Sequence, residues 1–164
     1  MCDRIGGSVL EGECYDYIPQ LLNFEEAQDF CMERMGHIWT PNFNDIYLFD
    51  KIRLVLPKFT AAPKNAIWIG ARTNNGVIMD VNGNDVTNDQ FFRIENDDPT
   101  VIDGCAVYNF QTGAQTFNID LCDDEPYHFI CEYNVTKIII EDDEQKPSLI
   151  FQKGPFVFLK KFHS

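Results

Sequence analysis

The chain has 164 residues, 45% of them hydrophobic, which is enough for one domain with a real core and too little for two. Its net charge is −13, and from Ile94 to Thr136 it carries nine acids and no Lys or Arg. Such a stretch repels a phosphate backbone, which makes nucleic acid and anionic membrane poor partners and favours divalent cations or cationic surfaces.

Fourteen Phe, six Tyr and two Trp supply large, rigid groups for a core. The six cysteines are Cys2, Cys14, Cys31, Cys105, Cys122 and Cys131. An even count in a small acidic domain implies disulfides and an oxidising, extracellular setting, although the count alone leaves the pairing open. The start Met1-Cys2-Asp3-Arg4 has no apolar signal region, so the chain reads as secreted but lacking its natural leader. Asn134-Val135-Thr136 is the single glycosylation sequon and is consistent with secretion.

In chain order, Cys14 opens Cys14-Tyr15-Asp16-Tyr17. Asn23 with Glu26 three residues on predicts a capping box, after which Ala27, Phe30, Cys31 and Met35 recur on one helical face and Gly36 ends the helix. Trp39, beside Gly36-His37-Ile38, is expected to be packed. A second helix is expected behind Asn44, with Leu48, Ile52 and Val55 inward and a stop before Pro57. Ile67-Trp68-Ile69-Gly70 predicts a buried strand in which Trp68 fills volume and Gly70 permits close backbone approach.

From Arg72 to Thr116, Asn, Asp, Gly and Thr dominate, and a hairpin turn is expected at Asn82-Gly83. So long a loop points to function. Strands return at Cys105-Ala106-Val107-Tyr108 and at Tyr127-His128-Phe129-Ile130-Cys131. The tail, 134–164, changes character. Ile138-Ile139-Ile140 precedes Glu141-Asp142-Asp143-Glu144, and the apolar and basic run Leu149 to Phe162 is too short and too interrupted to span a bilayer. It is expected to be a poorly ordered extension, with no transmembrane segment.

These residues resemble the C-type lectin-like domain over roughly 14–133. That family has two helices, a Trp-Ile-Gly strand, a long irregular loop, and strands bearing the last cysteines, in the order seen here. The resemblance implies an α+β, disulfide-stapled fold over 1–133, with two helices flanking small antiparallel sheets and a long binding loop at 72–120. It implies the pairs Cys31–Cys131, Cys105–Cys122 beneath the loop, and Cys2–Cys14 closing the N-terminal hairpin of long-form members.

Sugar-binding members of the family hold calcium through a Glu-Pro-Asn or Gln-Pro-Asp loop motif, an acid before the third framework cysteine, and a Trp-Asn-Asp strand motif. Calcium takes six to eight hard oxygens, and two sugar hydroxyls complete its shell. Setting Ile94 on the usual loop tryptophan places Asp98-Pro99-Thr100 on the first motif, Pro99 matching the family's cis proline; counting back from Cys105 without gaps places Glu95-Asn96-Asp97 there. A shortened loop favours the first register. Asp103 supplies the second acid. The strand motif reads Phe117-Asn118-Ile119-Asp120, so Asn118 matches, Ile119 replaces the aspartate, and Asp120 is expected to point away from Asn118 unless a bulge re-aims it. The implied calcium ligands are Asp98, Asp103, Asn118 and Asp120, and Thr100 joins them as a sugar contact.

Other chemistry is poorly supported. Asp80, Asn82 and Asn84 match the first three spacings of an EF-hand loop, but Asp85 stands at its glycine and Phe91 at its bidentate glutamate, so a polar hairpin is the better reading. Cys122, His128 and Cys131 fit no zinc spacing, and His128 is expected to be packed or on the surface. The serines Ser8, Ser148 and Ser164 fall outside the core, no nucleophile or phosphate-loop motif occurs, and the carboxylate pairs lie in polar runs, so no enzyme is expected. Two functions remain: glycan recognition, with or without calcium, or docking of a cell-surface or secreted protein on the acidic loop.

Overall fold

Strand alternation sorts the side chains of this molecule into two layers. The computed structural model describes Cys2 and residues 8–56, 65–95, 103–110 and 116–134. Its described elements run β1 (Ser8–Leu10), β2 (Glu13–Leu22), α1 (Phe24–Met32), β3 (His37–Ile38) and α2 (Leu48–Val55). They continue through β4 (Ala66–Asn74), β5 (Val77–Asp80), β6 (Gly104–Asn109), β7 (Phe117–Leu121) and β8 (Tyr127–Asn134). The strands form one connected sheet in the order β1-β2-β8-β4-β6-β7, with β3 added to β8 and β5 to β4. Seven pairings are not all alike: β4 and β8 run parallel through Ile67–His128 and Trp68–Phe129, which joins the expected small antiparallel sheets into a single mixed one.

Successive strand residues face opposite sides. Trp68, Cys105, Val107, Phe129 and Cys131 therefore collect on one face, which α1 covers with Phe24, Ala27 and Cys31. Ile67, Ile69, Ala106, Tyr108 and Ile130 collect on the other, which α2 covers with Leu48, Phe49, Ile52 and Val55. All six cysteines belong to the α1 side. They pair as the resemblance implied: Cys2–Cys14, Cys31–Cys131 and Cys105–Cys122. His128 is buried, with its Nδ1 against the Tyr17 hydroxyl.

The capping box at the start of α1 is present. Glu26 N donates to Asn23 Oδ1 at 2.9 Å, and Asn23 N to Glu26 Oε2 at 3.1 Å. The end of the helix differs from expectation. It closes at Met32, with Glu33 as C-cap, so Met35 lies beyond it, exposed and left-handed at φ 63°. Gly36 does help to end it, since Gly36 N donates to Cys31 O and Met35 N to Met32 O, each at 2.9 Å, and a Cβ there would also meet the Glu132 carbonyl and the Tyr133 ring at 2.6 Å.

The second helix begins at Leu48 rather than just behind Asn44, because the polar side chains of this stretch brace turns instead of capping. Asn42 Oδ1 accepts from Asn44 N, Asp45 Oδ1 accepts from Tyr47 N, and Asn44 Oδ1 accepts from Gln90 N in the long loop. Its inward residues are as expected, whereas Pro57 lies outside the described residues.

Trp68 is fully buried, donates its indole N–H to Leu22 O at 2.9 Å, and meets Phe24 and Tyr127 edge-on. Trp39 is packed, and its backbone stitches β8 to β4 by donating to Ile130 O and accepting from Gly70 N. At Gly70 a Cβ would lie 2.8 Å from the Ile38 carbonyl, so this crossing requires glycine.

The hairpin turn expected at Asn82-Gly83 forms: Gly83 has φ 85°, Asp80 N donates to Asn84 O at 2.9 Å, and Met79 bridges Asp85 antiparallel. A further hairpin, not expected, joins β4 to β5 at Asn75-Gly76, where both residues have positive φ, 50° and 79°. The irregular region thus begins at Val81, not Arg72. It packs Val86 and Phe92 on the α2 side and then runs beside β7. There Phe117 N donates to Arg93 O, and Glu95 N to Phe117 O, each at 2.8 Å.

Candidate functional site

The long loop borders a cleft at each of two places: where it enters β6, and where it folds back on the segment before α2. At the first, Thr73 on β4 fixes the entry of β6, since its hydroxyl accepts from Gly104 N at 2.7 Å. This sets Asp103 beside Arg72. The Arg72 guanidinium donates to Glu25 Oε1 at 2.6 Å and lies 3.9 Å from Asp103 Oδ1. Glu25, Arg72, Asp103, Asp123 and Asp124 line a shallow cleft of about 210 Å³. The Asp103 side chain is 81% exposed.

On β7, Asn118 lies opposite Val107 and Asp120 opposite Cys105. Two residues apart on a strand, they share a face, the α1 face, so the expectation that Asp120 points away is corrected by the alternation itself, with no bulge needed. The Asp120 carboxylate accepts the Tyr127 hydroxyl. Burial first, and that bond second, push the Tyr127 phenol well above its ordinary value. Ile119, standing where the family has its aspartate, is 1% exposed and packs in the α2-side core against Gly104. Asp98, Pro99 and Thr100, with Asn96 and Asp97 of the alternative register, lie outside the described residues.

Asp98 and Thr100 of the implied calcium set lie outside the described residues, and its described members have other neighbours. Asp103 turns to a guanidinium, Asp120 to a phenol, and the strand aspartate is a core isoleucine. Among the described residues, no three His, Cys, Asp or Glu groups converge to hold a metal ion. A calcium shell of six to eight oxygens needs more than Asp103, Asn118 and Asp120 supply from these directions.

At the other end, the described chain forms a cleft of about 420 Å³ between residues 40–44 and 80–89. The sequence reading passed over it. Asp80, singled out there for EF-hand spacing, spends its carboxylate on its own turn, accepting from Asn82 N, Asn84 N and Asn84 Nδ2. That supports a polar hairpin over a calcium loop. The signal available in the sequence was the recurrence of Asn and Asp in both segments, Asn42-Phe43-Asn44-Asp45 and Asn82-Gly83-Asn84-Asp85. Their adjacency comes only from the fold.

Comparison with protein families matches residues 20–133 to the family model described as the lectin C-type domain. The chain belongs to the C-type lectin domain family. Comparison with curated protein sequences finds no match. Among solved structures, this C-type lectin domain is similar to the carbohydrate-recognition domain of the mouse scavenger receptor C-type lectin, at 19% identity and a TM-score of 0.60, covering 78% of this chain and 95% of that one. It is also similar to SPL-2 from Saxidomus purpuratus, described as a Ca2+-independent C-type lectin, at 22% identity and a TM-score of 0.63, covering 80% and 93%. Herring type II antifreeze protein aligns at 16% identity and a TM-score of 0.60, covering 79% and 96%. At these identities the likeness shows the C-type lectin fold, α+β and stapled by three disulfides. Among the described residues, no helix is long and apolar enough to cross a membrane.

Proposed function

We propose that this domain is an extracellular lectin module that recognises glycans without a calcium bridge. Membership of the C-type lectin family supports the binding role. The observation that carries the calcium-free reading is Ile119: an apolar side chain sealed in the core where the strand motif would present a carboxylate. The partners already taken by Asp103 and Asp120 point the same way. Arg72 supplies, from within the chain, positive charge beside Asp103. SPL-2, of the same fold, carries calcium independence in its description. The acidic loop supports a second reading, docking of a basic secreted or cell-surface protein, because no Lys or Arg interrupts 94–136.

A glycan-array screen of the oxidised protein, run with calcium and with a chelator, tests this. The expected result is the same pattern in both. Binding abolished by the chelator overturns the calcium-free reading, and silence in both with the disulfides intact transfers the role to a protein ligand.

A further inference from the structure

The geometry points to the cleft between residues 40–44 and 80–89 as a binding site for a neutral, polyhydroxylated sugar. This deepens the lectin reading and rests on it. At about 420 Å³ the cleft lies within the roughly 300–1,000 Å³ range of small-ligand sites. Its walls are amide and carboxylate side chains over Pro41, Phe43 and Val86.

The hydrogen bonds already made determine what the walls still offer. Asn42 and Asn44 spend their side-chain oxygens on Asn44 N and Gln90 N, each at about 3 Å, so each retains its NH2 as donor. Asn84 spends an NH2 hydrogen on Asp80 and retains its oxygen as acceptor. Asp89, at the rim, adds a carboxylate acceptor. A sugar hydroxyl donates and accepts at once, so neighbouring hydroxyls are matched by fixed amide donors set beside fixed oxygen acceptors.

The site is held ready before any ligand arrives. Gln90 N to Asn44 Oδ1 at 2.9 Å and Phe91 N to Phe43 O at 2.8 Å tie the two walls together. Asp80 braces the 80–84 turn, and Asp85 Oδ1 accepts from Thr87 N. Pre-ordered walls reduce the entropy lost on binding.

The charge sets the ligand class. Asp80, Asp85 and Asp89 line the cleft and no Lys or Arg does, so sulfated and sialylated glycans are repelled. Neither the Asp103 cleft nor the β7 carboxylate belongs to this site.

The test uses the full chain against neoglycoproteins ending in mannose, galactose or N-acetylglucosamine, alongside sialylated and sulfated ones. Three variants are compared: Asn82→Ala, Asp89→Ala and, on the exposed side of α2, Asp50→Ala. The inference expects capture by at least one neutral probe, weakened tenfold or more by Asp89→Ala, weakened less by Asn82→Ala, and left alone by Asp50→Ala. Neutral capture untouched by Asp89→Ala and Asn82→Ala overturns the cleft while the lectin reading stands. Capture of sulfated or sialylated probes alone overturns the ligand class. No capture of any probe removes the lectin reading and this inference together. An Asn42→Asp variant gives a second check without removing bulk: it keeps the oxygen that accepts from Asn44 N, removes the NH2 donor, and should weaken neutral capture.

Discussion

The two faces of the sheet are held by different means. Under α1 the core is stapled: all six cysteines lie there, around Trp68 and Phe129. Under α2 and the long loop there is no cysteine, and the work falls to interlocking rings. Phe117 contacts Phe43, Phe49, Phe92 and Tyr108 with centroids 4.9–6.1 Å apart. Staples act on the unfolded chain and tolerate surface change. Ring packing acts only in the folded state and fails locally when one ring is removed. The two clefts sit at the margins of both layers, so the loop that shapes the larger one depends on rings, while the staples anchor the frame around it.

The largest expected effect tests the stapled face. Cys31–Cys131 closes a separation of 100 residues, for which the chain-entropy model gives about 4–5 kcal/mol. Replacing both cysteines with serine should lower the denaturant midpoint accordingly, and a loss below about 1 kcal/mol would mean that the α1 face is held by packing like the other.

The ring face comes next. Phe117→Ala opens a cavity among four aromatic side chains and should cost about 3–5 kcal/mol. Because Phe117 N and O also anchor Arg93 and Glu95 of the loop, amide exchange should rise first at residues 91–95 and only later in α1. Equal acceleration on both faces would show that the two layers unfold as one unit and that the contrast between them is only compositional.

The same contrast explains what could be read from the sequence. The α1 face was legible because its determinants are residue types with one use each: cysteine, the Asn23–Glu26 capping pair, Trp68 and Gly70. The other face was less so. Asn75-Gly76 and Asn82-Gly83 are the same dipeptide and both close turns, yet only the second was expected, although the first joins the longer strand pair. Asn44 has the chemistry of a helix cap, yet Gln90, 46 positions away, takes its oxygen. The calcium ligands were placed by motif alignment, which assigns residues to slots without assigning their partners. Arg72 and Tyr127 fill that gap, and neither is visible from the spacing around Asp103 or Asp120. The alternation that puts Asn118 and Asp120 on one face was available from the sequence all along.

The smallest effect concerns a half-buried charge on the ring face. Glu132 on β8 points to the α2 side, where Tyr15 Oη and Thr40 N reach its carboxylate at 3.4 Å and His37 Nδ1 stands 4.0 Å away. Burial, the largest cause, raises this carboxyl above its ordinary value, with His37 and the Thr40 amide opposing. A group whose folded pKa is raised adds stability below its unfolded pKa and loses it as pH climbs through the folded one. Near neutrality the ionised Glu132 is therefore a net cost to the fold, and Asp16, raised chiefly by burial as well, adds the same slope. Half-buried Asp45, lowered chiefly by its bond from Lys51, contributes the opposite slope and is common to both proteins in the comparison. Glu132→Gln keeps an acceptor for Tyr15 and removes the charge. Its thermal midpoint should exceed the native one at pH 7, and the gap should close as pH falls into the ordinary carboxylate range. A gap of constant size across that range would assign the gain to packing and leave Glu132 without a charge cost.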